Sequence, residues 1–256
     1  MWQWYLTAAL FGALVGSFLN VCIYRLPRGE SIAWPGSHCP ACAHPIAWYD
    51  NIPLVSYLIL AGCCRQCRVR ISPRYPLVEA LNAIGYVALL WWFGPGWPFV
   101  AYALLYSALL VVTGTDLSHK IIPNAVTYPG TIVGLLSAAT VLPLGLLDGL
   151  IGALVGGGIL WFLAWASPYL FGKEGMGMGD VKLLAMIGAF LGWKPAVMTI
   201  MVGSFVGSVV GISLLVMKVI RREDYIPFGP FLVFGALVTL FFGQPILDWY
   251  QGLLAG

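Results

Sequence analysis

Eight stretches of this chain stay apolar for close to the length of a bilayer crossing: residues 4–24, 77–93, 98–115, 125–142, 147–170, 180–192, 196–217 and 228–248. A helix needs roughly 20 such residues to traverse a hydrocarbon core, because every backbone polar group must be satisfied within the segment. The composition agrees, with 60% of residues hydrophobic and only 9% charged, against roughly 25% charged in an average soluble domain. Ten-residue segments of strand-like alternation are missing, which argues against an outer-membrane barrel. The expected fold is an all-α polytopic membrane protein of about eight transmembrane helices. Residues 180–192 are short for a full crossing and also fit a re-entrant segment. The first stretch lacks a basic flank before it and is too long for a signal-peptide core, so it reads as a membrane helix.

Basic residues set the expected orientation. Arg25, Arg28, Arg65, Arg68, Arg70 and Arg74 lie in the first loop, Lys120 and Lys173 in two later ones, and Lys218, Arg221 and Arg222 in another. These loops alternate so as to share one side, which the positive-inside rule makes cytoplasmic. Trp2, Trp4, Tyr5, Trp91, Trp92, Trp97, Trp249 and Tyr250 fall at the opposite ends of their spans, as an outer aromatic belt would. Lys194 is the one basic residue on that side. The expected division is a first transmembrane helix (1–24), a cytoplasmic four-cysteine loop (25–76) and a transmembrane bundle (77–256). Gly203, Gly207 and Gly211 form a ladder four residues apart, and Gly152 and Gly156 a shorter one. Both read as faces where helix backbones approach closely.

Cys39-Pro40-Ala41-Cys42 and Cys64-Arg65-Gln66-Cys67 are C-x-x-C pairs 21 residues apart. Two such pairs complete a tetrahedral zinc site with four thiolates. Two disulfides are the competing reading, disfavoured in a reducing cytosol. A thioredoxin-like role lacks the surrounding strand–helix pattern. Four sulfur ligands leave no position for water, so the zinc would be structural. Cys22 and Cys63 read as small apolar residues.

In a chain that otherwise avoids charge, Asp116 closes one apolar run. Asp180 opens another, in Gly175-Met176-Gly177-Met178-Gly179-Asp180. An acid at a membrane boundary is costly, and a pair of them is a functional-site hypothesis. Asp180 also reads as a plain helix N-cap. Asp116 has no such reading, because a helix C-terminus disfavours a negative charge. Lys120, four residues on, would compensate only if the helix continued that far. The two acids share the cytoplasmic side and sit at opposite helix ends. Such a pair suits hydrolysis in which one carboxylate takes a proton from water while the other polarises the scissile carbonyl.

Gly177-Met178-Gly179-Asp180 with Val181-Lys182-Leu183 resembles the GxGD motif of type IV prepilin peptidases, and Asp116 to Asn124 matches the segment of their other catalytic aspartate. The resemblance extends through Gly16 to Val21 with Arg25-Leu26-Pro27, the four-cysteine loop, Asp50-Asn51-Ile52-Pro53 and Ile71 to Glu79. It implies an aspartyl endopeptidase that removes the short basic leader from prepilin or pseudopilin precursors at the cytoplasmic face of the bacterial inner membrane. It implies also that the new N-terminal amine is methylated with S-adenosylmethionine. Asp116 and Asp180 carry over as the catalytic pair, and Cys39, Cys42, Cys64 and Cys67 as zinc ligands. Glu79 is a candidate contributor to the methyl-donor site, though an acid in the first turn of a helix is equally explained by the dipole. Lys182 falls on a different helix face from Asp180. Two rival readings stay open: a presenilin or signal-peptide-peptidase type of intramembrane protease, and a small transporter using the aspartates as proton or cation sites.

Overall fold

The computed structural model describes residues 2–171, 176–221 and 226–255. Lys173, Gly175 and Arg222 lie outside the described residues. Nine α-helices appear among the described ones: α1 (Trp2–Arg25), α2 (Val55–Ile59), α3 (Arg74–Phe93), α4 (Trp97–His119), α5 (Asn124–Thr140), α6 (Leu146–Phe171), α7 (Met178–Leu191), α8 (Trp193–Val216) and α9 (Gly229–Ala255). Strands are absent among them, and only two isolated bridges occur. All but the short α2 coincide with the eight expected apolar stretches. Six of those eight are long and apolar enough to cross a membrane. The other two, α5 with 17 residues and α7 with 14, reach about 26 and 21 Å at 1.5 Å per residue. Length and composition therefore support six crossings, and a count of eight rests on α5 and α7.

The chain divides into two compact units, residues 1–111 and 112–256. In the first, α1 packs on α3 through glycines. A Cβ on Gly12 would stand 2.9 Å from Ala83 Cα, and one on Gly16 2.8 Å from Glu79 Cα. Asn82 is wholly buried at this interface. Its amide donates to Gly12 O at 2.7 Å and its Oδ1 accepts from Ser107 at 3.2 Å. A satisfied buried amide of this kind fixes helix register, because any slip strands its polar atoms.

In the second unit, α7 is the central helix, packed by α5, α6, α8 and α9. From Val181 to Leu191 every residue except Lys182 and Ala185 is buried. A helix apolar on all sides belongs in an interior, and being wrapped by protein frees α7 from matching the bilayer thickness. Glycines again permit the approach. Gly152 of α6 lies directly on the backbone of Gly188 in α7, and a Cβ on Gly156 would be 2.8 Å from Leu184 O. Gly203 and Gly207 pack against Phe231 of α9, whereas Gly211 meets only Ile226 before that helix, so the shorter ladder and the first two members of the longer one are helix contacts. Gly188→Leu is expected to lower thermal stability in detergent by several degrees, or to prevent accumulation of folded protein, since overpacking a tight contact costs about 1–3 kcal/mol or more. Gly158→Ala, which meets nothing within 4 Å, should leave the melting temperature unchanged.

Candidate active site

Asp116 occupies the last turn of α4 and Asp180 the first turn of α7. Both are buried, at 4% and 3% exposure, so neither is an ordinary solvated surface acid. Asp180 is not the N-cap: that position is Gly177, in extended conformation, and no side chain caps the helix. Asp180 is the third helical residue, with its own N–H bonded to Gly177 O at 3.1 Å. Its Oδ1 is buried and has no hydrogen-bond partner among the described residues. A carboxylate oxygen left so is expensive in a folded protein. From the third position its carboxylate accepts from the Gly177 backbone, which helps to start the helix but leaves the buried Oδ1 unexplained.

Asp116 has a partner that its own helix end did not suggest. The backbone N–H of Gly229, first residue of α9, donates to Asp116 Oδ2 at 3.0 Å. The N-terminus of a second helix thus faces the acid, where exposed N–H groups favour a carboxylate. Gly229 must be a glycine for this, since a Cβ would stand 2.6 Å from that oxygen. Its signal in the sequence is faint: a glycine between Pro227 and Pro230 marks only a turn into a helix. At the other end of the pair, a Cβ on Gly179 would meet Ile122 at 2.9 Å. The glycine before Asp180 thereby lets the segment after α4 close over the start of α7.

The two acids share a cavity of about 270 Å³ with Lys120, Ile121, Ile122, Asn124, Gly177, Gly179 and Lys182, and they are near enough to feel each other's charge. Lys120 ends α4 in a left-handed turn, φ 55°, its N–H on Asp116 O at 2.8 Å. Lys182 is tied to the wall, its Nζ donating to Asn124 Oδ1 at 2.9 Å and standing 5.1 Å from the Tyr128 ring centroid. Two carboxyl groups that line one cavity and feel each other's charge are equipped for general acid–base hydrolysis.

The model of the bacterial peptidase A24 N-terminal domain matches residues 10–93, and that of the type IV leader peptidase family residues 103–212. A prepilin leader peptidase/N-methyltransferase from Aeromonas salmonicida is 39% identical over 97% of this chain and 94% of its own length. The chain belongs to the type IV leader peptidase family. Proteins of the same printed name from Pseudomonas aeruginosa and Xanthomonas campestris are each 39% identical, over 96% and 95% of the chain and 92% and 93% of their own lengths. No solved structure matches. Both aspartates fall within the family's peptidase segment, and the four cysteines and Glu79 within its N-terminal segment.

The cysteine loop of this family member is built from two copies of one turn. Cys39 N–H bonds to His44 O and Ala43 N–H to Cys39 O, at 2.9 and 2.8 Å. Cys64 N–H bonds to Val69 O and Arg68 N–H to Cys64 O, at 2.9 and 3.0 Å. Ala43 and Arg68, each following the second cysteine of its pair, are both left-handed at φ 55° and 58°. Isolated bridges His38–Pro45 and Cys63–Arg70 close the turns at the same offset. The duplication is one of backbone, and the intervening residues share too little for it to be read from side chains. All four Sγ atoms lie within 4.8 Å of one another. Cys39 and Cys67 Sγ are 3.8 Å apart, the edge length of a tetrahedron of sulfurs about 2.3 Å from a central zinc. The cluster is suited to a metal such as zinc. Burial pushes the Cys39 thiol up, but the N–H groups of Cys42 and Ala41 together with the thiols of Cys42 and Cys64 outweigh it and bring it to about 7. Arg65 braces the second turn, its guanidinium forked on Asp50 and holding that carboxyl below the usual range. Cys22 and Cys63 stand outside the cluster.

Glu79 is 8% exposed and accepts Leu54 N–H at 2.8 Å and a hydrogen bond from Ser17. It is the sixth residue of α3, because the helix begins at Arg74, so the dipole of the first turn does not explain it. What it does is hold Leu54, a residue forced to φ 63°, against the helix pair.

Proposed function

We propose that this chain removes the leader peptide from type IV prepilins and pilin-like precursors by aspartyl hydrolysis, with Asp116 and Asp180 as the catalytic pair. The observation that carries the reading is the meeting of two buried carboxyl groups in one cavity, one of them with an unpartnered oxygen. The printed names of full-length relatives support the substrate class. One carboxylate takes a proton from water as the water attacks the carbonyl carbon. The other, protonated, donates to the carbonyl oxygen; as the tetrahedral species collapses, the proton taken from water passes to the leaving amine and a hydroxyl proton returns to the second carboxylate. No covalent intermediate forms. The presenilin-type and transporter readings lose their footing, since the relatives match from end to end. Leader loss from a purified precursor, followed by mass, tests the proposal.

The same relatives carry N-methyltransferase in their names, which supports methylation of the new N-terminal amine. S-adenosylmethionine, when bound, supplies the methyl group. Glu79 is the candidate contributor, but its bonds to Leu54 and Ser17 account for its burial, and no methyl-transfer step is derived through it. In this proposal residues 25–76 serve the methyltransferase side, residues 77–256 form the peptidase bundle, and residues 1–24 are the first transmembrane helix. The arginine-rich first loop supports a cytoplasmic placement at the bacterial inner membrane.

The four cysteines fit a structural zinc, which would fold the loop and expose no open coordination position. Detergent-purified protein is expected to contain one zinc per chain by elemental analysis. Finding no metal, or a Cys39–Cys42 disulfide in freshly isolated protein, would contradict both the site and its cytosolic placement.

A further inference from the structure

The segment between the two cysteine turns carries apolar side chains left open to the surroundings. Trp48 is 80% exposed, Leu58 77% and Ile59 73%. The segment is folded all the same. Ser56, itself buried, donates to Tyr49 O at 2.8 Å and accepts Ile52 N–H at 3.0 Å, which clamps the turn Trp48–Asp50 to α2. Val55, Leu58 and Ile59 recur at i, i+3 and i+4 of α2 and so share one helix face. Trp48 stands on the clamped turn, edge-on to Tyr49 at 5.7 Å. Apolar groups on a folded, hydrogen-bonded unit are an interaction surface rather than an unfolded remnant.

Two observations select the occupant. The loop is tethered at both ends by helices long and apolar enough to span a membrane, α1 and α3, so the headgroup layer is within its reach. Residues 26–73 carry four arginines, Arg28, Arg65, Arg68 and Arg70, against two acids, Glu30 and Asp50. Arg68 and Arg70 are exposed on the second cysteine turn. Exposed tryptophan and leucine on the same loop as exposed arginines is the chemistry of an interfacial segment on an anionic leaflet. A basic peptide would meet like charge on the same loop.

We propose that the loop is an interfacial anchor. The face made by Trp48, Val55, Leu58 and Ile59 lies in the boundary between headgroups and acyl chains, with Arg68 and Arg70 against lipid phosphates. The cysteine cluster is thereby held at the membrane surface instead of projecting into the cytosol.

The test replaces Leu58 with the photo-crosslinker p-benzoylphenylalanine in the full-length protein, reconstituted in nanodiscs of mixed phosphatidylglycerol and phosphatidylcholine. The same probe at Leu81, exposed on α3, serves as the lipid-facing control, and a probe at Trp48 replaces the Leu58 variant if zinc content or leader cleavage shows that it has not folded. The expected product is a lipid adduct, as at Leu81. Its yield should fall at least about twofold in pure phosphatidylcholine, and likewise with Arg68→Gln and Arg70→Gln together. An adduct to added prepilin or to the chain itself overturns the proposal, as does the lack of any adduct while Leu81 gives one. A lipid adduct indifferent to lipid charge overturns the role given to the arginines.

Discussion

Asp180→Asn and Asp116→Asn are each expected to reduce leader cleavage by at least about 1000-fold while the protein stays folded. Asparagine keeps the shape of the side chain but can neither take nor release the proton, and a positioned acid or base is worth roughly 100- to 10,000-fold in each role. Folding should survive because Asp116 Oδ2 accepts from Gly229 and the Asp180 carboxylate accepts from the Gly177 backbone, both of which an amide oxygen can do, while Asp180 Oδ1 has no partner to lose. Zinc content and elution in detergent should match the parent. Gly229→Val should also lose cleavage, since its Cβ would press on Asp116 Oδ2. Processing at near-normal rate by either asparagine variant would remove the pair from the mechanism.

Cys39→Ser should reduce methylation of a pre-cleaved pilin at least as severely as it reduces cleavage, whereas Asp180→Asn should leave that methylation intact. A site of four thiolates contributes folding free energy to the loop that it closes. Cys39 lies in the first unit and both aspartates in the second, so loss of one ligand loosens the loop before the peptidase bundle. Radiolabelled methyl transfer to pre-cut pilin separates the two reactions without depending on cleavage. Loss of methylation in the Asp180 variant, with yield and zinc unchanged, would mean that the activities share a site.

The helices and both clusters could be read from residue order, for different reasons. Apolar stretches of bilayer length announce themselves, and α1, α3, α4, α6, α8 and α9 followed them. The short run at 180–192 was ambiguous because period and length do not tell a re-entrant segment from a helix encased by others. Only the packing of α5, α6, α8 and α9 around α7 resolves it as a buried core helix. Paired cysteines point to a metal by spacing, and the structure brings all four together. Asp180 looked like a cap because a loop rich in glycine precedes it, but the cap fell three residues earlier, on Gly177. Gly229 was missed because it lies 113 residues from Asp116 and contributes a backbone N–H, which leaves no mark on residue identity. Glu79 gains its role from Leu54, whose strained backbone no local pattern foretells.

The most direct test of the proposed function is to incubate purified, zinc-loaded protein in lipid nanodiscs with a purified prepilin and to weigh the products. The expected result is cleavage at a single bond, yielding an intact leader and the mature pilin, with neither Asn variant producing them. A precursor that stays whole in the presence of folded, zinc-loaded parent protein, or one that both variants cut as fast as the parent, would contradict the assignment.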